Sequence, residues 1–138
     1  LEEAKIYCER AIALDPNYFS AYNNLGTILQ KQGRLNDAKA QYQKALSLNP
    51  NYASAYDNLG TIFQEQKNIE QAIVHYRQAI TLEPNSANAF NNLGSALKEQ
   101  GKLEEAIACC QQAIRLQPKH ADAHNNYASS LVEQGKFR

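Results

Sequence analysis

The stretch AYNNLGTILQKQG occupies residues 21–33. The chain returns to it as AYDNLGTIFQEQK at 55–67, AFNNLGSALKEQG at 89–101 and AHNNYASSLVEQG at 123–135, always 34 residues on. Residues 19–52 and 53–86 are identical at 16 of 34 positions. All four prolines (Pro16, Pro50, Pro84, Pro118) keep the same lag, and every glycine falls into one of two series, Gly26/Gly60/Gly94 or Gly33/Gly101/Gly135. A period of this size marks stacked supersecondary units that share one continuous core.

Each unit reads as two helices. Tyr22, Leu25, Gly26 and Leu29 follow the i, i+3, i+4, i+7 spacing of a single buried face, and Gly33 ends that helix. Leu35, Ala38, Tyr42, Ala45 and Leu46 carry the second helix, which stops ahead of Pro50. Small residues at Gly26, Ala38 and Ala45 let two backbones approach where Tyr22 and Tyr42 fill the gaps. The expected fold is all-α, a stack of antiparallel helical hairpins.

These residues carry a family resemblance across the whole chain. The series Tyr22/Tyr56/Phe90, Leu25/Leu59/Leu93, Gly26/Gly60/Gly94, Ala38/Ala72/Ala106 and Ala45/Ala79/Ala113, with the prolines, resembles the tetratricopeptide repeat. The resemblance implies a right-handed superhelical α-solenoid whose first helices line a concave groove, and a function in protein interaction. A fourth copy departs from the pattern, with His124, Tyr127 and Ala128 for the aromatic, Leu and Gly. The expected division is a lone second helix in residues 1–18, full repeats at 19–52, 53–86 and 87–120, and a lone first helix in 121–138. The chain starts at Leu1 and contains no Met, so we read it as a piece of something longer. Its phase leaves both terminal helices with a face that a neighbour should cover, which predicts head-to-tail self-association.

Asparagine recurs in mid-helix at Asn24, Asn58, Asn92 and Asn126, beside Asn23, Asp57, Asn91 and Asn125. It is a mediocre helix former, because its amide competes for backbone hydrogen bonds. Residues 100° apart put Ser20, Asn23, Asn24, Thr27, Gln30 and Lys31 opposite the buried face. Thr27, Thr61, Ser95 and Ser129 add hydroxyls to that side, and Gln30 and Gln64 add amides. A primary amide has two donors and one acceptor oxygen. A regular row of them can bond the N–H and C=O groups of an extended peptide without reading its side chains. The row resembles the asparagine ladders of O-linked N-acetylglucosamine transferases and armadillo-type receptors, which implies a peptide-binding scaffold or the substrate-recognition arm of a larger glycosyltransferase. The alternative is that each Asn bonds within its own helix or to the next.

Charge narrows the partners. Lys plus Arg equals Asp plus Glu at 14 each, which supplies no global field toward nucleic acid or an anionic membrane. On the polar side only Lys31 and Lys98 are basic, with Glu65, Glu99 and Glu133 near them, so a two-carboxylate clamp is disfavoured. The expected partner is an uncharged or mixed-charge protein segment. No apolar run approaches the roughly 20 residues of a bilayer span. Cys8 and Cys110 share the repeat site of Tyr42 and Tyr76 and read as core fillers. With Cys109 they lack metal spacing and suggest a reducing compartment. His120 and His124, four apart with Asp122 near, could form a metal pair, but they occupy a helix start and an aromatic site. His75 has no catalytic partner in the sequence. No phosphate-binding loop, catalytic motif or cofactor motif appears.

Overall fold

The computed structural model describes residues 1–136, so the last two residues of the expected segment 121–138 lie outside it. Among the described residues there are eight helices and no strand. In chain order they are α1 (Glu2–Leu14), α2 (Phe19–Lys31), α3 (Leu35–Leu48), α4 (Ala53–Glu65), α5 (Ile69–Leu82), α6 (Ala87–Glu99), α7 (Leu103–Leu116) and α8 (Ala121–Lys136). The closest pairings are α2 with α3, α4 with α5 and α6 with α7, and each hairpin packs on the next. The result is an all-α solenoid.

Two kinds of turn separate the helices. Inside each hairpin, a residue with positive φ closes the first helix: Gly33 (78°), Lys67 (64°) and Gly101 (84°). The amides that follow, on Arg34, Asn68 and Lys102, donate to Leu29, Phe63 and Leu97 carbonyls at 2.9, 2.8 and 2.9 Å, a Schellman closure. Lys67 holds this conformation without glycine's freedom. Between hairpins the residue before each proline is extended, as the proline ring requires. Asp15, for example, sits at φ −142°, ψ 92°.

The core follows the repeat. Ala38, Tyr42, Ala45, Ala72, Ala106 and Ala113 have no exposed surface, and Tyr76 has 1%. Phe63 packs against both apolar clusters, one built on α2 to α4 and the other on α5 to α7, and so joins them. Glycine is required at the hairpin crossings. A Cβ on Gly26 would stand 2.6 Å from the Tyr42 ring, and one on Gly60 only 2.4 Å from Tyr76. In the third hairpin a Cβ on Gly94 would meet the Cys110 sulfur at 3.0 Å, a milder approach.

Candidate interaction groove

The two sets of helices are unequally spaced along the stack. The backbones of α2 and α4, α4 and α6, and α6 and α8 come close together, whereas those of α1, α3, α5 and α7 stay farther from one another. A stack closer on one side than the other bends toward that side, so the first helices line the concave face. Clefts open there at successive junctions. One is lined by Thr27, Gln30, Lys31, Asn58, Thr61 and Glu65. The next is lined by Thr61, Gln64, Glu65, Lys67, Tyr76, Asn92 and Glu99.

The asparagines cross these junctions. Asn58 donates its Nδ2–H to Asn23 Oδ1 (3.1 Å), Asn92 to both Asp57 oxygens (3.1 Å each) and Asn126 to Asn91 Oδ1 (2.8 Å). The bonded residues are always 35 apart, joining one first helix to the next. Asn58, Asn92 and Asn126 are half-buried; Asn24 and Asn125, at opposite ends of the series, are exposed. The sequence-based placement of Asn23 and Asn91 on the open side needs correcting. Both are buried, at 7% and 8% exposure, because the adjacent first helix covers the flank that a lone helix would leave in water.

Gln30 and Gln64 also serve the fold. Gln30 receives the Tyr42 hydroxyl proton at Oε1 (2.8 Å) and donates from Nε2 to Thr61 Oγ1 (2.9 Å) and Glu65 Oε1 (2.7 Å). Gln64 repeats the set with Tyr76 (2.8 Å), Ser95 (3.1 Å) and Glu99 (2.7 Å). Each glutamine thus ties a buried tyrosine to the next repeat. The third hairpin lacks both partners: Cys110 stands for tyrosine, and Lys98 for glutamine, its Nζ donating to Ser129 Oγ at 3.1 Å. Thr27 donates to the Asn23 carbonyl (3.1 Å) and Thr61 to that of Asn58 (2.7 Å), so the hydroxyl row is held within the array.

Asp57 is the one carboxylate in the Asn23 series. Burial raises its pKa, the Asn92 amide lowers it in part, and the Glu83 charge raises it again. Tyr76 is pushed upward by burial first and then by the charges of Asp57, Glu99 and Glu65, so three carboxylates act on the middle junction. Lys31 and Lys98 are the cations of the expected polar face. The groove is polar, of mixed charge, and most acidic at its centre.

Cys109, Cys110, His120 and His124 are engaged within the fold. Cys110 is buried. Burial first, then Cys110, raises the Cys109 pKa to about 11, which keeps it a thiol at neutral pH. The buried His120 accepts the Ala123 N–H at Nδ1 (3.1 Å), which leaves its Nε2–H to donate to Asn88 Oδ1 (2.7 Å). With both nitrogens bonded, it caps α8. His124 donates from Nε2 to the Pro118 carbonyl (2.8 Å), as the Tyr22 hydroxyl does to Pro16 (2.9 Å). Among the described residues no group of three or more His, Cys, Asp or Glu is placed to hold a metal, and no helix is long and apolar enough to cross a membrane.

The structure thus brings Asn58, Asn92, Thr61, Gln30 and Gln64 together in the clefts and withdraws Asn23 and Asn91 into the junctions. Sequence reasoning missed the part of Tyr42, Tyr76, Glu65 and Glu99. The signal was present: Gln30 precedes Tyr42 by 12 residues, Gln64 precedes Tyr76 by 12, and both types change together at Lys98 and Cys110.

The comparisons agree with this geometry. Tetratricopeptide repeat models match residues 17–82, 87–120 and 109–138. A protein prenyltransferase alpha subunit repeat model matches residues 1–32, which hold α1 and α2. No curated protein matches the chain. The crystal structure of MamA is similar at 25% identity and TM-score 0.81, over 93% of this chain and 75% of that one. A MamA RS-1 ArsTM double mutant is similar at 24% identity and TM-score 0.83, over 96% and 75%. With its matched repeats, helical hairpins and tyrosine-on-glycine crossings, the chain belongs to the tetratricopeptide repeat family.

Proposed function

We propose that this array is a protein-interaction scaffold that holds an extended segment of a partner in the groove of α2, α4, α6 and α8. One observation carries the reading: Asn58, Asn92 and Asn126 are each anchored on one side only. Each amide uses Nδ2 on the preceding repeat, and its Oδ1 has no hydrogen-bond partner among the described residues. The carboxylate of Asp57 can only accept, which fixes the orientation of the Asn92 amide and leaves its oxygen free. Rigid acceptors repeated once per unit suit the backbone N–H groups of an extended chain, and little ordering is lost on the receptor side. The mixed charge of the clefts favours an uncharged or mixed-charge segment.

The test is an unbiased peptide array probed with the wild type and with Asn58→Ala/Asn92→Ala. The expected result is binding to many extended peptides, weakened at least tenfold in the double variant. Binding indifferent to the change would reject the ladder. The anchors now seen also predict a stability loss of about 1 kcal/mol per site, so affinity is compared well below the melting transition.

A second reading, end-to-end stacking of the array, is favoured by the apolar surface at its two ends. Leu1, which precedes α1, is 62% exposed, Tyr7 and Leu14 on α1 are 59% and 87% exposed, and Val132 on α8 is 60% exposed.

A further inference from the structure

The three junctions between first helices use the same anchor but not the same charge. Asn58 and Asn126 bond to the asparagines Asn23 and Asn91, whereas Asn92 bonds to the carboxylate of Asp57. Asparagine holds two junctions of the three, so the anchor does not require an acid. The middle junction differs at a second place. Glu83, which follows α5, occupies the site held by Asn49 one repeat earlier and by Gln117 one repeat later. The pairs are thus Asn23 with Asn49, Asp57 with Glu83, and Asn91 with Gln117. Two amides become two carboxylates together, at one junction. A local choice that works against the fold is expected where function needs it.

The two carboxylates share a cavity of about 250 Å³. It is lined by Ser54 and Asp57 of α4, by Glu83, and by Ser86 and Asn88 at the start of α6. Ser86 Oγ already accepts the Ala89 N–H (3.2 Å), and Asn88 Oδ1 is engaged by His120 Nε2 (2.7 Å). Asp57 accepts from a single nitrogen, which leaves lone pairs on both of its oxygens. Among the described residues the one ion pair joins Arg34 to Asp37, so neither Asp57 nor Glu83 is paired with a cation. Beyond burial, which the Asn92 amide partly offsets, the Glu83 charge raises the Asp57 pKa. A positive group in the cavity would relieve both carboxylates.

We propose that this cavity receives a lysine or arginine side chain of the bound segment, held between Asp57 and Glu83. The inference rests on the scaffold reading above and names a specificity for it. Asp57 belongs to both features, since it anchors Asn92 and lines the cavity, so a side chain next to the backbone held at Asn92 is within reach. Asparagine contacts repeat in every unit and do not distinguish one register of the segment from the next. An acidic cavity at one junction does.

The test takes peptides that the wild type binds in the array above and places Lys, Gln and Glu in turn at every position. The wild type is expected to favour Lys over Gln by about fivefold or more at one position and to disfavour Glu there. Asp57→Asn and Glu83→Gln install the amides of the neighbouring junctions. Each is expected to lower the Lys-to-Gln affinity ratio, and the double variant to abolish it, with circular dichroism to check folding. The ratio is taken within each protein, so a change in the ladder itself cancels. Finding no peptide whose binding depends on Asn58 and Asn92 overturns the scaffold reading. Ladder-dependent binding without a Lys preference, or with one that survives Asp57→Asn/Glu83→Gln, overturns the role of the cavity alone.

Discussion

The second and third hairpins share a backbone plan but close their crossings differently. In the second, the Tyr76 ring presses on Gly60 and its hydroxyl is bonded through Gln64 to Ser95 and Glu99 of the next repeat. In the third, Cys110 fills the same place with a sulfur, and Lys98 reaches Ser129 alone. The tyrosine hairpin is tight and polar at its edge; the cysteine hairpin is looser and ends in a cation. One fold therefore tolerates two solutions over a kept glycine, with the tyrosine and the glutamine changing together. A substitution that changes one of them should cost more in the tight hairpin than in the loose one.

The largest test sets Gly60→Ala against Gly94→Ala. The first puts a methyl 2.4 Å from an enclosed ring and should destabilise by about 3 kcal/mol; the second meets sulfur at 3.0 Å and should cost about 1 kcal/mol or less. Equal effects in urea titration would mean that Tyr76 moves aside freely and that the contrast is not structural. Next comes Tyr76→Phe. It leaves Gln64 Oε1 without its donor and should cost about 1 kcal/mol, an effect that a Gln64→Lys background, imitating the third hairpin, should largely remove. No coupling between the two changes would show that the tyrosine–glutamine bond does not hold the junction.

The smallest effect compares junctions rather than hairpins. Asp57 sits where Asn23 and Asn91 sit, and an asparagine there can still accept from Asn92. Burial holds the folded Asp57 pKa above its usual 3.8, so the folded state binds its proton more readily than the unfolded chain. The cost of the buried charge is full above the folded pKa and disappears as pH falls through it. Asp57→Asn should therefore stabilise by about 0.5 kcal/mol at neutral pH, a modest gain of the kind such changes give. That gain should shrink as pH approaches 4, seen by comparing thermal melts of the two proteins. A gain that persists unchanged in acid would assign it to something other than the carboxylate.

The fold was legible because its signals are local and repeat. Pro50 and Pro84 end helices through their own rings, Gly33 and Gly101 take the left-handed turns, and Tyr42 faces Gly26 at a spacing that the period reproduces. Lys67 was the exception, since nothing in a lysine announces a positive φ and only its place in the glycine series does. The groove was legible in part. A helical wheel treats each helix as alone in water, and on that view Asn23, Asn24 and Gln30 look equivalent. The stack separates them: the neighbouring first helix buries Asn23, engages both ends of Gln30, and leaves Asn58 with one free oxygen. A residue's duty to the next repeat lies 31 or 35 positions away and has no mark in the local pattern.

The curvature that brings α2, α4 and α6 into contact also sets a length scale for whatever lies along them. Helices packed side by side stand about 8–10 Å apart. A chain in the polyproline II form climbs roughly 3.1 Å per residue and turns once in three residues, so it advances about 9 Å per turn. A segment bound as proposed would be commensurate with the groove, since one turn of such a peptide spans one repeat and would return the same edge to each asparagine. A flat β-strand would present opposite edges at successive repeats and meet only every second one. On the proposed reading, the geometry of the array would therefore select the backbone shape of a bound segment before any side chain is read.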